Sequence, residues 1–122
     1  MALFAFVTMF GHGPLIAAHA LLGIAVVLLA LLAFALPWAR RGVLYALAAQ
    51  IVLGIMTALM TGLTPPIPHA LLAVLTGGVY AAANAAERKG RPVAVVRGLL
   101  GLGALMLAAV YYIGEHALSP TP

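Results

Sequence analysis

Residues 15–36 decide the fold, because they read LIAAHALLGIAVVLLALLAFAL and contain no charged side chain. A run of about 20 mostly apolar residues is long enough to cross the hydrocarbon core of a bilayer as a helix. Three more such runs follow, at residues 43–62, 67–86 and 93–114, and only short segments separate them. Short connections make successive helices antiparallel neighbours. We therefore predict an all-α, integral membrane, up-down four-helix bundle, with residues 1–122 in one membrane domain.

The composition of the chain agrees with a lipid environment. Of the 122 residues, 66% are hydrophobic and 7% are charged, and the mean hydropathy is +1.20. A typical soluble domain is about 25% charged. The chain has no cysteine, which excludes disulfides, thiolate metal sites and covalent attachment of haem through cysteine.

The basic residues mark one side of the predicted bundle. The net charge is +4, and every Lys and Arg lies in or near the connections between spans 1 and 2 and between spans 3 and 4. These residues are Arg40, Arg41, Arg88, Lys89, Arg91 and Arg97. No aromatic side chains alternate with them, so the pattern does not indicate nucleic acid binding. Short Lys/Arg-rich loops stay cytoplasmic. We therefore expect both termini outside a prokaryotic plasma membrane, with the basic loops in the cytoplasm.

The motif His-Ala-Leu-Leu occurs twice, beginning at His19 and again at His69, 50 residues later. The chain thus consists of two tandem helical hairpins, each starting with a histidine-bearing helix. At a rise of about 1.5 Å per residue, His19 lies about 7 Å inside its span and His69 about 4 Å inside. Ionisable side chains within membrane spans are rare and indicate function. Helices 1 and 3 are diagonal in such a bundle, so the two imidazoles can bind one haem iron from opposite sides.

Other side chains near the predicted pair suit a flat cofactor. Small residues one or two turns below each histidine leave room for a macrocycle, or equally for close helix packing. A methionine pair in the second span would line the pocket or provide an alternative axial ligand. The candidate cofactor-binding residues are Gly23, Ala73, Gly77, Met56 and Met60, with His19 and His69 as the axial ligands of the iron.

Two alternatives concern the polar residues. Each histidine can instead be an interfacial side chain that bonds to a neighbouring carbonyl or to water. The terminal residues His12, Glu115 and His116 are either solvated ends or an outer zinc or copper site. We expect Gln50 and Asn84 to form hydrogen bonds between helices, the alternative being contact with a cofactor or quinone.

Residues 50–57, QIVLGIMT, precede a Pro-rich connection and then the span headed by His69. This arrangement resembles the haem A synthase family, in which a Q-x-x-L-G-x-x-T helix is followed by a histidine-headed helix. His19 matches the partner histidine of the family in register, and the resemblance covers residues 15–88. It implies a bundle in which these two histidines are axial haem ligands near the outer face. Ala20 stands where the family usually has arginine, and residues 1–18 lack its glutamate. The resemblance therefore implies haem binding without the oxidation of haem O.

These features together predict a small, b-type cytochrome-like membrane protein for electron transfer or haem handling, similar to half of a haem A synthase. No catalytic residue is assigned. The first alternative is a cofactor-free accessory subunit that packs against a larger respiratory or transport complex. The second is a small transporter or metal-handling protein that uses the outer histidines. Besides the lipid bilayer, the expected partners are a larger respiratory complex or a second copy of the chain.

Overall fold

The computed structural model describes residues 13–62 and 64–118, which form four helices joined by short connections. Helix α1 spans Pro14–Leu32, α2 spans Pro37–Thr61, α3 spans Ile67–Arg88 and α4 spans Val93–Leu118. All four are long and apolar enough to cross a membrane. The predicted all-α, four-helix architecture is confirmed.

The helices pack in chain order around the bundle axis. Contacts are most extensive within the two hairpins, between α3 and α4 and between α1 and α2. The hairpins touch each other less extensively, through α2 with α3 and α1 with α4. Helices α1 and α3 therefore lie across one diagonal of the bundle. This diagonal brings the two histidine-bearing helices opposite each other.

The first connection differs from the prediction, because α2 begins at Pro37 rather than near residue 43. Proline suits the first helical position, where a backbone N–H has no partner within the helix. Leu36 precedes it in an extended conformation, with φ −118°. Helix α1 correspondingly ends at Leu32, so the connection contains only residues 33–36. The two arginines that follow Pro37 thus belong to the beginning of α2.

A narrow core runs along the bundle, and its exterior is apolar. Leu31, Leu59 and Leu105 are among many large apolar side chains that are exposed on the outside. An extensive apolar exterior of this kind suits a lipid environment. The largest fully buried side chains come from all four helices and are Val26, Val43, Leu47, Thr76, Tyr80 and Leu100.

A tight turn ends α3. The N–H groups of Gly90 and Arg91 donate to the carbonyls of Glu87 and Ala86, each at 3.0 Å. This pattern is a Schellman motif, and its left-handed position is Gly90, with φ 65°. The motif fixes the backbone between Lys89 and Arg91, which flank this glycine.

We call the end of the bundle that contains residues 33–41 and 87–97 the arginine end, and the opposite end the histidine end. At the arginine end, Arg40 joins three helices. Its Nε–H donates to the Ala33 carbonyl at 2.8 Å, and its Nη1 lies 2.7 Å from Oε1 of Glu87. The Asn84 side-chain amide donates to the Arg40 carbonyl at 3.0 Å, which confirms the predicted hydrogen bond between helices.

Candidate functional site: a histidine pair between two hairpins

The imidazoles of His19 and His69 meet between the hairpins near the histidine end. Their ring centroids are 6.4 Å apart, and the ring planes are inclined by 72°. His19 projects from α1 and His69 from α3, and both residues are partly buried. The structure therefore brings together the two histidines that the repeated motif had paired.

A hydrogen bond within the second hairpin orients the His69 ring. Its Nδ1 lies 2.9 Å from the carbonyl oxygen of Val110 in α4. A carbonyl oxygen only accepts, so Nδ1 carries the proton, and in the neutral ring Nε2 keeps its lone pair. Metal-binding histidines are commonly held in this way, with the second ring nitrogen donating to a carbonyl. The same bond also satisfies an interfacial histidine that binds nothing.

The His19 side of the pair contains polar atoms without partners. The Gln50 side-chain amide donates to the main-chain carbonyl of His19 at 2.6 Å, which confirms its predicted role between helices. Within the described residues, His19 Nδ1 and Gln50 Oε1 are buried and have no hydrogen-bond partner. A buried atom left in this state costs about 1–3 kcal/mol. Buried polar atoms without a partner are exceptions to the usual satisfaction of hydrogen bonds, and such exceptions are expected at functional sites.

In each hairpin, a glycine of the second helix lies against the histidine ring of the first. A Cβ atom at Gly54 would lie 3.0 Å from Cε1 of His19, and one at Gly114 would lie 2.7 Å from Cε1 of His69. Glycine at these two positions therefore permits the observed ring positions. Sequence reasoning did not assign either glycine to the site. The available signal was their position near the end of the second helix, which in an antiparallel hairpin lies beside the start of the first.

The small residues predicted to admit a macrocycle lie against other side chains. A Cβ atom at Gly23 would lie 3.1 Å from Nε2 of Gln50, so this glycine makes room for the glutamine. At Gly77, a Cβ atom would lie 3.9 Å from a methyl group of Leu47. Ala73 is partly buried. Their contribution to a cofactor site stays a prediction.

The structure does not bring the predicted methionines to the histidine pair. Met56 is 44% exposed and Met60 is 69% exposed, on the outside of the bundle. Side chains with this exposure contact the surroundings of the protein. Either methionine would have to turn inward to bind an iron held between the helices. The histidines are therefore better placed than the methionines as ligands.

The predicted outer site is described only in part, because His12 lies outside the described residues. The exposed His116 donates from Nδ1 to the Tyr112 carbonyl at 2.9 Å, and its ring lies 4.0 Å from the Tyr112 ring. Glu115 precedes it in the last turns of α4 and is partly buried. Residues 13–62 and 64–118 contain no group of three or more His, Asp or Glu that could hold a metal ion.

The distance between the ring centres of the two imidazoles is close to that of two opposed histidine ligands on one metal ion. A metal–imidazole bond is about 2.0 Å and the nitrogen lies about 1.1 Å from the ring centre, so two opposed ligands have centres about 6.2 Å apart. The observed distance between the ring centroids is 6.4 Å. The glycines on α2 and α4 at this level also keep Cβ atoms away from the rings.

No family model, curated protein or solved structure matches this chain. The resemblance to the haem A synthase family therefore stays a prediction.

Proposed function

We propose that this chain is a small haem-binding membrane protein in which His19 and His69 are the two axial ligands of a b-type haem. The observation that carries the proposal is the 6.4 Å distance between their ring centroids. Two histidine ligands leave no open position on the iron, so electron transfer or haem handling is favoured over oxygen chemistry.

The shallow position of the pair suits the propionate groups of a haem. Carboxylates are costly to desolvate, and all six Lys and Arg residues lie toward the arginine end. His19 is five residues from the beginning of α1 and His69 is two from that of α3, or about 7.5 Å and 3 Å along the helix axes. At this depth, the propionates of a bound haem would be able to reach water beyond the end of the bundle without a basic partner.

The charge distribution supports an orientation for the proposed site. Exposed Lys and Arg at the arginine end favour the cytoplasmic side. The histidine end and both termini then lie outside, and the haem is close to the outer surface of a prokaryotic plasma membrane. This placement agrees with the implication of the haem A synthase resemblance. Ala20 and the lack of an acidic residue in residues 1–18 favour haem binding without oxidation of the macrocycle.

The proposal is tested by visible spectra of the protein purified in detergent, oxidised and then reduced with dithionite. The wild type should show a sharp Soret band and split visible bands when reduced. His19→Ala and His69→Ala should each abolish this spectrum, because each removes one axial ligand. His116→Ala is the matched control and should leave the spectrum unchanged, because this exposed ring lies outside the pair.

Helix content and size-exclusion profile, recorded on the same samples, separate loss of a ligand from loss of fold. A folded wild type that is colourless and takes up no added haem would contradict the proposal. An equal effect of the His116 and His69 substitutions would contradict the assignment of the ligands. Histidine-dependent uptake of zinc or copper without haem would instead favour a metal-handling protein.

A second candidate is a cofactor-free accessory subunit, favoured by an open glycine surface on α4. A Cβ atom at Gly98 or Gly101 would meet nothing within 4 Å. Small residues on a membrane helix allow another helix to approach closely. Copurification of the colourless protein with a larger complex, lost in Gly101→Leu, would support this candidate over the first.

A further inference from the structure

A cleft of about 510 Å³ lies between the end of α3 and the beginning of α4, far from the histidine pair. Ala82, Ala85 and Val95 contribute apolar wall, and Lys89 and Arg91 contribute two positive charges. Apolar wall and cationic groups thus meet at one position, where the helices reach the arginine end. The other four basic residues of the chain do not line this cleft.

Among the described residues, no carboxylate forms an ion pair with the basic side chains of the cleft. The chain contains only two acidic residues, Glu87 and Glu115. The carboxylate of Glu87 pairs with Arg40 at 2.7 Å, and Glu115 lies at the histidine end. Lys89 and Arg91 are both exposed. An anion that enters the cleft therefore meets two cations that are not already neutralised by a carboxylate.

The hydrogen bonds of the turn fix the backbone positions from which the two basic side chains extend. Lys89 and Arg91 flank Gly90, and the N–H of Arg91 is bound to the Ala86 carbonyl at 3.0 Å. Because this turn is already ordered before binding, its backbone loses little conformational entropy when a ligand binds. Lys and Arg both bind phosphate oxygens through charge-assisted hydrogen bonds.

We propose that this cleft binds one anionic phospholipid, with its phosphate held by Lys89 and Arg91 and an acyl chain against the alanine-lined wall of α3. Basic pockets between membrane helices on the cytoplasmic side recognise anionic headgroups. The apolar wall distinguishes this ligand from free phosphate, which would use only the two cations. The site is independent of the proposed haem.

The test measures lipid retained by the full-length protein, using native mass spectrometry in detergent with added phosphatidylglycerol or phosphatidylcholine. Wild type should retain phosphatidylglycerol in preference. Lys89→Gln/Arg91→Gln should weaken its binding by about fivefold for each charge removed, and so by roughly 25-fold. The control, Arg41→Gln/Arg97→Gln, removes the same charge from the same end outside the cleft. Because neither arginine lines the cleft and salt screens exposed charges, it should change binding by less than about threefold.

Equal weakening in both double variants would overturn the proposal, because it would indicate diffuse attraction to the whole end. Equal retention of the two lipids by wild type would also overturn it. A third experiment adds inorganic phosphate as a competitor for the bound lipid. If it displaces phosphatidylglycerol at millimolar concentration, the apolar wall contributes nothing and the site is an anion site only. Resistance to phosphate, together with weaker binding in Ala85→Leu, would support the acyl chain contact.

Discussion

At the scale of single residues, the histidine pair depends on two positions that lack a side chain. Gly54 lies against the ring of His19, and Gly114 lies against the ring of His69. Both hairpins therefore use the same contact, a histidine of the first helix against a glycine of the second. The separation along the chain is 35 residues in one hairpin and 45 in the other. The repeat in space is therefore not visible as a repeat in the sequence.

Alanine at Gly114 should displace the His69 ring, because the new Cβ would lie 2.7 Å from Cε1 while the Val110 carbonyl holds the ring in place. We expect a loss of about 1–3 kcal/mol in the free energy of unfolding, and a weaker or shifted haem spectrum if haem is bound. Gly54→Ala should have a smaller effect of the same kind.

The matched control is Gly101→Ala in α4, where a Cβ meets no neighbour within 4 Å. Alanine there should stabilise the helix by up to about 1 kcal/mol. Thermal unfolding in detergent, followed by circular dichroism, compares the three variants. If the Gly114 variant matched the Gly101 variant in stability and spectrum, the glycine contact would have no role.

At the scale of helices, Arg40 is the residue that ties neighbouring elements together. It accepts from Asn84 of α3 through its carbonyl, donates to Ala33 after α1 and pairs with Glu87 of α3. The two side chains of the ion pair are 14% and 34% exposed, so water screens the pair only in part.

Replacing Arg40 with Met should destabilise the bundle, and a double-mutant cycle with Glu87→Gln should give a coupling free energy of about 1 kcal/mol. The measurement is unfolding of the four proteins of the cycle in mixed micelles of rising denaturing detergent. Arg41→Met serves as the control, since this neighbour is exposed, and it should change stability little. Additive effects of the two substitutions would show that the ion pair contributes nothing.

The helices could be predicted from the sequence much better than their facing surfaces. Four apolar runs, of which only the fourth contains a charged residue (Arg97), determine the number of helices, and the repeated histidine motif indicated which two side chains meet. The beginning of α2 was misplaced because Pro37 and the arginines after it were interpreted as a stop. In the structure they form a first helical turn.

The buried faces of the helices could not be predicted from the sequence for another reason. A helix that is apolar on all sides has no pattern that marks one face as buried, and so Met56 and Met60 were expected inside but lie outside.

At the scale of the whole molecule, the two ends differ in charge. Every Lys and Arg lies toward one end, while the opposite end carries the histidine pair. This asymmetry supports insertion in one orientation. It also separates the two proposed sites, one for haem near the outer surface and one for an anionic lipid near the inner surface.

The orientation can be measured directly, because the chain has no cysteine. Thr64→Cys lies in the connection between the hairpins and Ala35→Cys in the first connection, and both positions are exposed. In intact cells, a membrane-impermeant maleimide should label Thr64→Cys. Ala35→Cys should react only after permeabilisation. The reverse labelling pattern would place the histidine end in the cytoplasm and would contradict the proposed orientation.

The two ends of the bundle also differ in whether their hydrogen bonds lie within one hairpin or join the two hairpins. At the histidine end, Gln50 bonds within the first hairpin and His69 within the second. At the arginine end, Arg40 and Asn84 bond from one hairpin to the other. Parting the hairpins at the histidine end thus breaks neither of those two bonds, whereas parting them at the arginine end breaks a bond and an ion pair. We therefore expect the two hairpins to separate more easily at the histidine end, where each contributes one imidazole, than at the arginine end.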